Sequence, residues 1–133
     1  MRQLFLSVFG AGYLPYAPGT WGSIAGFAVG VLLSKTILFY LMCIVFVLAL
    51  FAMRKIQGDP SWIVIDEVIG IWFAMLLVDQ QYWILSFILF RIFDIFKPWP
   101  VSYFENIKPP ALAIMADDLC AGLISAFMIL CFL

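Results

Sequence analysis

The amino-acid sequence predicts an all-α fold, an integral membrane bundle of about five helices with its carboxylates clustered at the cytoplasmic side. Three observations predict it. Of 133 residues, 66% are hydrophobic and only 11% charged, far from the roughly 45–50% apolar and about 25% charged of a soluble domain. Apolar runs of helical length alternate with short breaks rich in glycine, proline and charge. Finally, Asp66, Glu67, Asp94, Asp117 and Asp118 lie within or at the ends of those runs. An ionised carboxylate there is costly unless it is paired, hydrated or bound to a cation. The length suits one domain, residues 1–133.

The elements follow in order. The opening MRQLFLSVFGAG carries one arginine but no small-residue cleavage pattern, so it does not read as a signal peptide. Glycines and prolines in GYLPYAPGTWGS exclude a regular helix up to about Pro18, and Gly19-Thr20 reads as a helix start. The apolar run 21–33 would span about 20 Å, short of a hydrocarbon core of roughly 30 Å. Residues 36–53 form the clearest transmembrane helix, closed by the basic anchor Arg54-Lys55. Asp59-Pro60 signals a turn and Ser61 an N-cap for a helix over 62–78. A further helix over 82–96 ends at Lys97-Pro98-Trp99-Pro100. After a loop over 101–110, the last helix runs over 111–133. No internal repeat is evident. Cys43, Cys120 and Cys131 lie in apolar runs without Cys-x-x-Cys spacing and read as small core residues. Short helices raise the expectation that some spans are incomplete or that protomers pack together as a homo-oligomer.

Charge placement sets the orientation. With the N-terminus cytoplasmic, Arg2, Arg54, Lys55, Lys97 and Lys108 face inward and Lys35 outward, as the positive-inside rule requires. The same topology brings all the intramembrane acids to one depth. Asp66 and Glu67 open one inward-starting helix, Asp117 and Asp118 lie early in another, and Asp94 lies at the end of a returning one. The Gly19-Thr20 helix start is on that side too.

Histidine is absent, which removes Ser-His-Asp hydrolases, His-ligated zinc and histidine-nucleophile phosphatases. No cysteine precedes an arginine at a spacing that cradles phosphate, so thiolate phosphatase chemistry is not expected. With no basic patch, nucleic acid is not an expected partner. Clustered carboxylates need a cation, and all-oxygen ligation suits Mg²⁺ or Mn²⁺. Arg91, Asp94 and Lys97 recur every three residues on one helix face, which lets the two cations hold an anion beside a metal-bound acid. Thr20 and Ser23 add hydroxyls at a helix N-terminus that favours anions. Together these point to phosphoryl chemistry on a lipid headgroup, through activated water or an aspartyl phosphate. Plainer readings compete: Asp94 as the ion-pair partner of Arg91 or Lys97, Asp117/Asp118 as helix caps, and Thr20 as an ordinary N-cap. A carboxylate relay in a small ion or proton transporter is the rival from another class, but a relay favours acids at several depths. For a CDP-alcohol phosphotransferase, the Asp-Gly pair followed by Ala-Arg is missing.

Four segments, GAGYLPYAPGTWGS (10–23), IVIDEVIGIW (63–72), FRIFDIFKPWP (90–100) and IMADDLCAG (114–122), resemble successive blocks of bacterial phosphatidylglycerophosphatase A, in order and over nearly the whole chain. The resemblance implies a Mg²⁺-dependent, multi-pass inner-membrane enzyme that converts phosphatidylglycerophosphate to phosphatidylglycerol. It makes Asp66, Glu67, Asp94, Asp117 and Asp118 the catalytic and metal-binding acids, and Thr20, Ser23, Arg91 and Lys97 the phosphate contacts. One departure is plain: where the family has a glycine-rich turn before its last acidic block, this chain has Lys108-Pro109-Pro110-Ala111-Leu112-Ala113. Prolines stiffen that loop. A different lipid phosphate as substrate, or an inactive member of the family, is the alternative it raises.

Overall fold

The computed structural model describes residues 2–14, 16–54, 63–96, 99, 103 and 110–132. Its helices are α1 (Arg2–Leu6), α2 (Pro18–Leu32), α3 (Lys35–Ala52), α4 (Ile65–Leu77), α5 (Trp83–Phe96) and α6 (Pro110–Phe132). Short 3₁₀ turns at Ala11–Tyr13 and Gln80–Tyr82 precede α2 and α5. No strand occurs among the described residues, so the fold is all-α.

The boundaries have local causes. Pro18 is the first residue of α2, and Pro110 the first of α6; at this position a fixed φ suits the helix and no N–H is needed. Thus the proline pair that interrupts the family pattern includes a helix start, while Lys108 and Pro109 lie outside the described residues. Ser34 caps α3 by accepting from the Ile37 N–H at 3.4 Å. Helix α4 begins three residues later than the apolar pattern predicts, with Val64 in the N-cap position. The Val64 N–H is taken by the Leu6 carbonyl at 2.9 Å, which ties the entry of α4 to the end of α1 and keeps residues 63–64 out of the helix. The expected turn at Asp59-Pro60 and cap at Ser61 lie outside the described residues.

Helix α4 is the centre, packed against α2, α3, α5 and α6. It is buried at Ile65, Asp66, Val68–Trp72, Ala74 and Met75. Small residues let its neighbours come close, as helix packing in hydrocarbon favours. A Cβ on Gly26 would lie 3.0 Å from the Val68 Cα, and there the Trp72 indole N–H donates to the Gly26 carbonyl at 2.7 Å. A Cβ on Gly122 of α6 would lie 2.7 Å from the Gly70 carbonyl oxygen. These two approaches bring α2 and α6 onto α4 and so set the site's geometry.

Two helices, Lys35–Ala52 and Leu112–Phe132, are long and apolar enough to cross a bilayer, with mean hydropathies of 2.4 and 1.9. Helix α3 turns Ile37, Tyr40, Ile44, Val47 and Phe51 outward, a patch that water would penalise and hydrocarbon would not. The cysteines correct the sequence expectation: Cys43 and Cys131 are exposed and Cys120 is half-buried. Where the surroundings are themselves apolar, an apolar neighbourhood in sequence does not distinguish interior from exterior.

Candidate active site

Asp66 and Glu67 fall in the first turn of α4, where the helix dipole favours negative charge. Asp117 and Asp118 lie two turns inside α6, so they are not its caps. Asp94 comes from the last turn of α5. Because α5 and α6 both pack against α4, and Gly70 and Gly122 allow a close approach, these five acids converge. Carboxylate oxygens of Asp66, Asp117 and Asp118 lie within 4.8 Å of one another. Those of Glu67, Asp94 and Asp118 do the same, with Asp118 common to both groups. Asp66, Asp117 and Asp118 are buried, Asp118 to 1% exposure.

Arg91 is the guanidinium that faces this cluster. Its Nη1 donates to Asp94 Oδ2 in an i,i+3 ion pair and, at 3.5 Å, to Ser23 Oγ. Its Nη2 donates to Thr20 Oγ1 at 3.0 Å. The Ser23 hydroxyl in turn donates to the Gly19 carbonyl at 2.8 Å. Thr20 is therefore not the N-cap of α2, a position held by Ala17. The turn also offers fewer free donors than the sequence promises, because the Thr20 and Trp21 N–H groups are taken by the Ala17 carbonyl. What the Thr20 and Ser23 hydroxyls do instead is hold Arg91 in place. Asp94 is both an ion-pair partner and a member of the carboxylate cluster. Lys97 lies outside the described residues.

Gly19 is the residue that sequence reasoning missed. A Cβ there would stand 2.8 Å from Glu67 Oε1 and 3.4 Å from Arg91 Nη1, so the bare backbone leaves room for both charged groups. Its place in the Pro-Gly-Thr-Trp-Gly-Ser turn was the available signal, but there it reads only as part of a helix start.

The donor set fits a hard divalent cation. It is all oxygen, and Asp66 Oδ1, Glu67 Oε2 and Asp118 Oδ1 are buried with no hydrogen-bond partner. Buried carboxylate oxygens without donors repel one another and invite positive charge. The Arg91 Nε is also buried and without a partner, a donor left over for an anionic oxygen.

A profile of the phosphatidylglycerophosphatase A family matches residues 4–133. A protein of Bacteroides thetaiotaomicron, provisionally named a phosphatidylinositol-3-phosphatase, is 41% identical over 96% of this chain and 94% of its own. Proteins named phosphatidylglycerophosphatase A are similar too. The one from Haemophilus influenzae is 33% identical over 91% of this chain and 82% of its own. That from Escherichia coli is 34% identical over 89% of this chain and 75% of its own. No solved structure matches the chain.

Proposed function

The chain belongs to the phosphatidylglycerophosphatase A family of phosphoric monoester hydrolases, and from that premise we propose that it converts phosphatidylglycerophosphate to phosphatidylglycerol in a Mg²⁺-dependent reaction. The observation that carries this is the pair of buried carboxylate groups sharing Asp118, with Arg91 beside them. Asp66, Asp117 and Asp118 on one side, and Glu67, Asp94 and Asp118 on the other, are the residues that would hold the cation, with Mn²⁺ an alternative to Mg²⁺. When bound, the cation neutralises phosphate charge and acidifies a water.

The chain's own residues do the rest. Arg91, fixed by Asp94, Thr20 and Ser23, offers its Nε–H to a non-bridging phosphate oxygen. A cluster carboxylate that the cation leaves free takes the proton of the attacking water. The water oxygen bonds to phosphorus, the bond from phosphorus to the glycerol oxygen breaks, and that oxygen takes back the proton the carboxyl accepted from water as phosphate leaves. Lys97 is a second phosphate contact in this reading.

We further propose a multi-pass protein of the bacterial inner membrane, with its site near the cytoplasmic face. In support, Lys35 donates to the Val78 carbonyl at 2.7 Å, at the end of α4 away from the acids. The Bacteroides relative favours a second substrate reading, phosphatidylinositol 3-phosphate, which requires the same chemistry on a different headgroup.

Phosphate release from both lipids in detergent micelles, with Mg²⁺ and with chelator, tests the proposal in wild type and Asp66→Asn. Mg²⁺-dependent release from phosphatidylglycerophosphate that the substitution abolishes is the expected result. Release from the inositol lipid alone would move the substrate and keep the chemistry, whereas no release from either by folded protein would overturn the reading.

A further inference from the structure

Resting on that reading of the chain as a lipid phosphatase, we propose that a groove between α3, α4 and α6 holds one acyl chain of the phospholipid substrate while its phosphate lies at the carboxylates. The groove has a volume of about 320 Å³. Met42, Cys43, Phe46 and Val47 of α3 form one wall, Ile69 and Phe73 of α4 and Leu119 of α6 line the other side, and no charged side chain is among these described residues.

Its position relative to the acids carries the inference. Asp66, Ile69 and Phe73 stand at i, i+3 and i+7, on one face of α4. The floor of the groove is therefore the continuation of the stripe that begins with a site carboxylate, and from Asp66 to Phe73 it runs about 10 Å along the helix axis. On α6, Leu119 directly follows Asp118, the acid shared by both carboxylate groups. The groove residues of α4 and α6 thus follow directly on the site acids along both helices, with the carboxylates and Arg91 at the head and apolar side chains below. A soluble phosphate ester would use only the head. A phospholipid matches both parts. The rim residues Cys43 and Val47 are exposed on the face that α3 turns outward, so a chain can enter sideways from the bilayer.

Filling the groove tests this without touching the acids. Val47→Trp is expected to raise KM for dioleoyl phosphatidylglycerophosphate about tenfold, the equivalent of roughly two methylenes no longer buried, with kcat held. KM for the dihexanoyl analogue, whose chains are too short to need the groove, should stay within twofold. Equal changes for both substrates, or none for either, would overturn the proposal. A second measurement needs neither that variant nor turnover. With Cys43 the sole thiol, after Cys120→Ser and Cys131→Ser, dioleoyl phosphatidylglycerophosphate in phosphatidylcholine nanodiscs should slow maleimide labelling of Cys43 severalfold, and the dihexanoyl form should not. Protein inactive on this lipid but protected by it would keep the groove and lose the reaction. Unprotected Cys43, or Cys43 that cross-links efficiently to Cys43 of a second copy, would overturn the assignment.

Discussion

Asp118 belongs to both carboxylate groups and is almost wholly buried, so its charge is both the most useful to a cation and the most repelled without one. Asp118→Asn should lower kcat by about 10²–10³-fold, as the loss of one group from a preorganised charged site does. In chelator, the same substitution should raise thermal stability by about 1 kcal/mol, because it removes like charge from a crowded place. Activity assays and melts on the same preparation check both directions. Arg91 is the opposite case: it joins α5 to α2 through Thr20 and Ser23 and answers the charge of Asp94. Arg91→Ala leaves Asp94 without its partner and should cost about 3 kcal/mol in denaturation, besides the activity. These acids and this arginine are legible in the sequence because charge inside apolar runs is conspicuous. Gly19 is not, because its role is the absence of a side chain beside Glu67 and Arg91.

At the scale of elements, the site depends on how near α2 and α6 come to α4. Gly19→Ala meets the flexible ends of Glu67 and Arg91, which can swing away. It should therefore leave the melting temperature within a few degrees while cutting kcat severalfold. Gly122→Ala meets the backbone oxygen of Gly70, which cannot. Overpacking there should cost about 2–3 kcal/mol and, by forcing α6 from α4, separate Asp118 from Asp66 and abolish activity. The contrast between the two substitutions, read by melt and assay together, distinguishes a glycine that seats the site from one that seats a helix.

For the whole molecule, the proposed Mg²⁺ would offset the mutual repulsion of the carboxylate cluster. Binding to the native state alone should stabilise the protein by about 2.7 kcal/mol at Mg²⁺ one hundredfold above its Kd. A thermal melt with Mg²⁺ against chelator measures this directly, and Asp118→Asn should abolish the difference. The fold turns an apolar face of α3 outward yet gathers these acids inside, a division that fits the proposed lipid reaction.

Composition together with apolar runs of helical length determined that the chain is helical, because backbone N–H and C=O groups then find their partners within each run. The breaks of proline, glycine and charge placed the longer helices among the described residues to within a few residues, and the charged residues within them named the acids and Arg91. Sidedness was not legible. Cys43, Cys131 and the outward residues of α3 look as apolar as the core, since outside and inside are equally apolar and periodicity loses its meaning. Nor was the start of α4, fixed by a hydrogen bond from Val64 to distant Leu6. Only the tertiary structure decided that Thr20 and Ser23 hold Arg91, that Asp118 is the shared acid, and that Gly19 makes room for its neighbours. Each of these is a relation between residues tens of positions apart, set by how closely two helices can approach.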